Sequence, residues 1–150
     1  MFETHLTDAL VTALQHVKHQ LGDERISRLA LDVQPWSGFL EGAILTASEV
    51  RADPALLDPA EMAAWRWYAF TEKDSTWQRD TASWRADMRA AYDTAADRRA
   101  AAREVFLACA RSLASDAVRQ ALGAFSLADD FACSVTDPDS GEEFVSLSGS

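Results

Sequence analysis

The stretch 58–84, DPAEMAAWRWYAFTEKDSTWQRDTASW, decides how the rest of this sequence is arranged. It contains four of the five tryptophans of the chain, with a tyrosine and a phenylalanine between them. Large aromatic rings dominate the cores of domains. We therefore expect the elements on either side of this stretch to pack around it.

The stretch opens with a strong signal for the start of a helix. Asp58 is a good N-cap, Pro59 suits the first helical position, and Glu61 stands where it completes a capping box. The sequence predicts a helix that begins at Pro59, and we expect it to end near Tyr68 or Phe70.

The tryptophans of the stretch divide into two groups. Trp77 and Trp84 fall on one stripe of a second helix, which Asp74 caps, and we expect both rings in the core. Trp65 and Trp67 are two residues apart, so on a helix they point in nearly opposite directions. One of them, together with Arg66, is therefore expected to meet a second layer, a groove or a partner.

Outward from this stretch, the sequence alternates helix and hairpin patterns. The N-terminal side predicts a helix over Thr4–Leu21 and a β-hairpin over Arg25–Ala47, with a connection from Val50 to Leu57. The C-terminal side predicts a helix that begins at Thr94, a shorter helix at Ser115 and a closing hairpin. We expect one α+β domain over residues 1–150. Its order is α-ββ-α-α-α-ββ, with an antiparallel sheet built from both hairpins and covered by four to five helices.

Charge and composition limit the classes of partner that the sequence favours. The formal net charge is −10, and the segment from Gln120 to the end has six acidic residues and no Lys or Arg. This balance disfavours nucleic acid and permits a basic protein partner. No apolar run is long enough for a membrane span and no export signal is recognised, so we expect a cytoplasmic protein with reduced thiols at Cys109 and Cys133.

The sequence predicts no catalytic residue, metal ligand or cofactor. All three histidines lie on the first helix, and only His16 and His19 are one turn apart, without a supporting carboxylate or thiol. The turn Asp137–Gly141 has acidic residues but not the ligand spacing of a calcium loop. The sequence does not decide whether the protein is an enzyme, since a catalytic pair of carboxylates needs no fixed spacing in the sequence.

Three segments resemble small acidic bacterial proteins of toxin–immunity loci: the early hairpin RLALDVQPWSGFLEGAIL, the aromatic segment AAWRWYAF and the closing FACSVTDPDSGEEFVSL. The resemblance implies an immunity protein that inhibits a cognate bacterial toxin by stoichiometric binding. It carries no binding residue over to this chain.

We therefore expect a protein-binding module. The residues predicted to bind a basic partner are Trp65, Arg66, Trp67, Asp129, Asp130, Asp137, Asp139, Glu142 and Glu143, with help from Trp36. Two alternatives remain open. One is a small-ligand-binding or enzymatic domain with a tryptophan-walled pocket, and the other is a structural subunit of a homo-oligomer.

Overall fold

The structure is a computed structural model that describes the backbone of residues 2–147 and the side chains of residues 3–144. Helix α1 (Phe2–Leu21) leads into a hairpin of strands β1 (Arg25–Gln34) and β2 (Phe39–Thr46). The other elements are helix α2 (Ala47–Ala52), the 3-10 helices Pro54–Leu57 and Pro59–Ala64, helices α3 (Ser75–Thr94), α4 (Arg98–Leu113) and α5 (Asp116–Leu122), and strands β3 (Ser126–Thr136) and β4 (Glu143–Leu147). The predicted α+β class is confirmed.

The four strands form one mixed sheet in the order β2-β1-β3-β4. Both hairpins are antiparallel, but β1 and β3, which join them, run parallel, so the prediction of an antiparallel sheet is wrong. Helices α1 and α5 pack against each other. Because β1 follows α1 and β3 follows α5, both strands start at the same end of the sheet, where Arg25 pairs with Ser126. The long connection over residues 47–125 permits this parallel pairing.

The first face of the sheet packs against α1, α3, α4 and α5. The predicted apolar stripe of α1 is buried along its whole length, at Leu6, Leu10, Leu14, Val17 and Leu21. Trp77 is 1% exposed and Trp84 packs at the margin of this core, which confirms the prediction for both rings.

The second face of the sheet is covered by the segment 47–70, a layer that the sequence does not predict. Ala30, Ala43 and Leu45 form the sheet side of this smaller core, and Met62 and Trp65 pack on them. The predicted helix that begins at Pro59 is a 3-10 helix and ends at Ala64, so its predicted end near Tyr68 or Phe70 is wrong.

Packing on the sheet explains why the helix stops. Trp65 has extended backbone (ψ 139°), and its indole Nε1 donates to the carbonyl of Leu56 at 2.8 Å. The chain then follows the outer edge of β2, where the amide of Ile44 donates to the carbonyl of Trp67 at 3.3 Å and the amide of Phe70 donates to that of Gly42 at 2.9 Å. A helix through residues 65–70 could not make these bonds, because its backbone groups would pair within the helix.

Two further helix boundaries differ from the predictions. Part of the predicted connection after Val50 belongs to α2, which begins with a capping box between Thr46 and Glu49. Helix α3 continues through Thr94, and the side chain of Asp97 caps α4 by accepting from the amide of Ala100 at 3.1 Å. Thr94 is thus not the cap of the next helix. Its hydroxyl instead donates to the carbonyl of Ala90 at 2.9 Å.

Candidate functional site

The cleft that best fits a binding site lies on the second face of the sheet, between the 3-10 helix Pro59–Ala64 and strands β1, β3 and β4. Two adjoining cavities of about 490 and 340 Å³ share Pro59, Met62 and Glu143 in their walls. We call this continuous cleft the acidic groove. Met62 and Trp65 bring the apolar layer of the second face to its floor.

The charges that line the acidic groove are mostly of one sign. Its carboxylates come from five residues: Asp32, Asp58, Asp130, Asp137 and Glu143. Arg28 is the basic residue in the walls, and its guanidinium already donates to the carbonyls of Ser27 (2.7 Å) and Asp130 (2.8 Å). Its guanidinium also lies 3.9 Å from the carboxylate of Asp130, so five carboxylates and one arginine leave the groove with a net negative charge.

Three of these carboxylates are held by local hydrogen bonds. Asp137 accepts from the amide of Asp139 and from the hydroxyl of Ser140, both at 2.9 Å. Asp58 caps the 3-10 helix by accepting from the amide of Ala60 at 2.9 Å, and Asp32 accepts from the hydroxyl of Tyr68. Burial, together with the Asp32 carboxylate, raises the pKa of Tyr68 well above its ordinary range, so this phenol stays a hydrogen-bond donor. The Oγ1 of Thr136, which also lines the groove, is buried without a hydrogen-bond partner among the described residues.

The structure divides the predicted acidic residues of the C-terminal hairpin between two sides. Asp130, Asp137 and Glu143 line the acidic groove, whereas Asp139 and Glu142 line a separate cavity of about 410 Å³ beside α4, to which Asp137 also contributes. Glu142 is bound there by Arg103, with both carboxylate oxygens within 2.7 Å of Nη1. Asp129 lies outside these cavities and approaches Arg25 at 3.5 Å. The six acids therefore do not form one surface.

The three residues of the predicted binding segment, Trp65, Arg66 and Trp67, also lie at different cavities. Trp65 is 4% exposed and belongs to the floor of the acidic groove, so its ring is not a projecting anchor. Arg66 is exposed, and its guanidinium lies 5.5 Å from the ring centre of the half-buried Trp67. Both line a third cavity, of about 580 Å³, which shares no wall residue with the acidic groove. Trp36 is half-buried, 6.2 Å from the ring of Tyr92 and away from the groove.

A buried polar network beside the groove has a structural role. Glu41 is 3% exposed and accepts from the hydroxyl of Thr71 at 2.6 Å, while Arg85 Nη2 lies 3.2 Å from its other oxygen. The Thr71 hydroxyl in turn accepts from the amide of Gly42 at 2.9 Å. Because every partner of Glu41 belongs to the fold, the network fastens residues 67–71 and α3 to β2.

No reactive group stands out in the described part of the chain. Cys109 and Cys133 are buried, and burial raises the pKa of both thiols, that of Cys133 to about 12. Between residues 2 and 147 no group of three or more His, Cys, Asp or Glu side chains is placed to hold a metal ion. Over the same residues, no helix has both the length and the apolar character to cross a bilayer.

Comparison of the chain with known protein families, with curated proteins and with solved structures finds no match. The assignment of function therefore depends on the geometry of the chain itself.

Sequence reasoning missed two of the carboxylates that line the acidic groove. Asp32 is an alternating polar position of β1, and Asp58 is explained in the sequence by its capping role alone. The sequence holds no signal for either residue, because both are distant from the closing hairpin along the chain. Only the parallel pairing of β1 with β3 brings them to the same cleft as Asp137 and Glu143.

Proposed function

We propose that this chain is a cytoplasmic protein-binding module of a bacterium that takes a basic segment of a protein partner into the acidic groove. The observation that carries the proposal is the net negative charge of the groove. Five carboxylates surround its apolar floor, and its one arginine lies 3.9 Å from the carboxylate of Asp130. Lys and Arg side chains fit such a surface, because their methylene stems cover apolar atoms while their charged ends reach the rim.

The position of the groove favours an extended partner segment. Strand β4 is an edge strand of the sheet, and the described residues place no further strand on its outer side. The opposite edge, β2, is instead covered by residues 67–71. An extended chain laid beside β4 would direct alternate side chains towards the second face, on which the groove lies.

An immunity protein is the class of binding module that we favour. Such a protein inhibits a toxin by occupying its active site, and toxins that act on nucleic acids carry basic surfaces for the phosphate backbone. An acidic groove competes for the same surface and accelerates association through its field. The resemblance of the sequence to immunity-type proteins supports the same class.

The test compares two variants of equal net charge. The groove variant combines Asp58→Asn, Asp130→Asn, Asp137→Asn and Glu143→Gln, and the control variant combines Asp8→Asn, Asp87→Asn, Asp93→Asn and Glu104→Gln at exposed positions outside the groove. Asparagine keeps the cap at position 58 and the turn at position 137, since its side-chain oxygen still accepts.

Fluorescence anisotropy with a labelled peptide of about eight residues, alternating Lys and Ser, measures the binding. We expect the groove variant to bind about tenfold more weakly or worse, since several ion pairs of up to about 1 kcal/mol each are lost. The control variant should stay within about twofold of the unaltered protein, because screening limits the effect of distant charges. Equal weakening in both variants would reject the groove as the binding site.

The immunity class has its own test. Where a toxin domain is encoded beside it, the protein is mixed with that domain, and toxin activity is measured as the two are titrated. Complete inhibition at one-to-one stoichiometry, lost in the groove variant and kept in the control variant, is the expected result. A groove that binds the peptide while the toxin stays active would retain the binding module and reject the immunity role.

A further inference from the structure

A second cavity is formed where Arg66 and Trp67 lie. This cavity of about 580 Å³ is open to solvent on one side and is bounded by the C-terminal half of α1, residues 66–74 and the first turn of α3. We call it the Trp67 cavity. Its volume falls in the range of pockets that hold small organic molecules, roughly 300–1,000 Å³.

One wall of the Trp67 cavity is apolar. It is made by Ala13 and Val17 of α1 and by the rings of Trp67 and Phe70. Phe70 is fixed in place because its ring packs on Gly42, where a side chain would leave only 2.8 Å to the Phe70 Cε1 atom. This wall can receive the flat apolar part of a ligand.

The Trp67 cavity has two basic residues in its walls. Arg66 and Lys73 line it, and neither makes an ion pair with a carboxylate among the described residues. Arg66 is held over the Trp67 ring, which orients its guanidinium without satisfying its N–H donors. Both side chains therefore keep N–H donors that a carboxylate can accept from.

Two carboxylates, those of Asp74 and Glu72, also line the Trp67 cavity, so its formal charges balance. Asp74 caps α3 by accepting from the amides of Thr76 and Trp77, and its second oxygen lies 2.8 Å from His16 Nδ1. Glu72 is exposed at the rim. The pair with Asp74 occupies one nitrogen of the half-exposed His16 ring and leaves Nε2 without a partner in residues 2–147.

The indole of Trp67 has an unmet hydrogen bond. Its Nε1 is buried and has no acceptor among the described residues, although buried donors are nearly always paired. The neighbouring Ala69 adopts a positive φ of 53°, which a residue other than glycine rarely does. In this segment the backbone conformation of Ala69 is unfavourable and the hydrogen bond of the Trp67 indole is unmet, and the packing of the protein compensates for neither.

We infer that the Trp67 cavity binds a small aromatic carboxylate, with its ring against Trp67 and Phe70 and its carboxylate held by Arg66 and Lys73. The site shares no wall residue with the acidic groove, so a partner in the groove and a ligand in this cavity do not compete for the same residues.

Three probes of equal size test the inference on the full chain. Benzoate, the neutral benzamide and the cationic benzylamine are titrated while the five tryptophan indole N–H signals are followed by NMR, with Trp67→Phe used to assign the Trp67 signal. We expect a saturable shift of the Trp67 signal with benzoate, and at least about tenfold weaker binding of the other two, because they cannot pair with the cations.

Two variants distinguish the site from general attraction to a positive surface. Arg66→Gln with Lys73→Gln should weaken benzoate binding at least about tenfold, and Arg51→Gln, an exposed arginine on α2, should leave it unchanged. Circular dichroism of each variant checks that the fold is kept. Absence of a saturable shift, equal binding of benzamide, or unchanged binding in the double variant would each overturn the inference. None of these outcomes bears on the acidic groove.

Discussion

Gly42 shows how one residue positions the segment that separates the two cavities. The sequence indicates a bulge or a close backbone approach at this glycine in the middle of β2. The structure shows a close approach, since a Cβ atom at position 42 would stand 2.8 Å from Phe70 Cε1 and 3.3 Å from Thr71 Cγ2. The absence of a side chain is thus what allows residues 67–71 to lie on the edge of the sheet.

The substitution Gly42→Ala is expected to lower the free energy of unfolding by about 1–3 kcal/mol, because the added methyl group overpacks the contact with Phe70. Urea unfolding followed by tryptophan fluorescence measures the change. The control is a double-mutant cycle with Phe70→Leu, in which the methyl group should cost clearly less than in the parent protein. Equal costs in both backgrounds would show that the Phe70 ring is not the obstacle.

At the scale of the element, the carboxylate of Asp74 stabilises the N-terminus of α3. Burial raises the pKa of Asp74, but the hydrogen bonds from His16 and from the amides of Trp77 and Thr76 outweigh it, so the pKa lies below its ordinary range. A carboxyl whose pKa is lower in the folded state stabilises the fold above its unfolded pKa, which is about 3.9. That contribution disappears as the pH falls through the folded-state value.

The variant Asp74→Asn keeps an acceptor for the helix cap and loses the charge opposite His16. We expect it to be about 0.5 kcal/mol less stable than the parent near pH 5, and we expect this difference to shrink as the pH approaches 3. Urea midpoints at a series of pH values measure the effect. Asp87→Asn, on the exposed side of the same helix, reports the effect of removing a charge alone. A difference that stays constant down to pH 3 would contradict the assigned role of Asp74.

At the scale of the whole molecule, the parallel pair of β1 and β3 holds the two halves of the chain together. The two cysteines report on this assembly, because Cys109 on α4 and Cys133 on β3 belong to the same core. Both thiols are buried and have a raised pKa, so neither is a reactive thiolate in the folded protein.

We expect both thiols to resist a soluble disulfide reagent at pH 8 in the native protein and to react together as urea unfolds it. An engineered cysteine at an exposed position of α3, Ser83→Cys, should react at once and serves as the control. Rapid labelling of either native cysteine without urea would mean that the core opens locally around that strand or helix.

The sequence predicted most of the secondary-structure elements of this protein but less of how they pack together. The stripe of α1, both hairpins and the core rings Trp77 and Trp84 follow from local periodicity and turn chemistry, which neighbouring residues determine. The end of the helix at Ala64 and the existence of α2 do not, because packing of the segment 47–70 on the second face of the sheet decides them.

The candidate site follows the same division. Sequence alone determined that the C-terminal hairpin is acidic and that Trp65 and Trp67 cannot share one face of a helix. Only the tertiary structure decided that Asp130, Asp137 and Glu143 share a groove with Asp32 and Asp58, and that Arg66 and Trp67 belong to a different cavity. The physical reason is that charge and periodicity are properties of neighbouring residues, whereas a cleft exists only where strands distant in sequence pair and a segment packs across them.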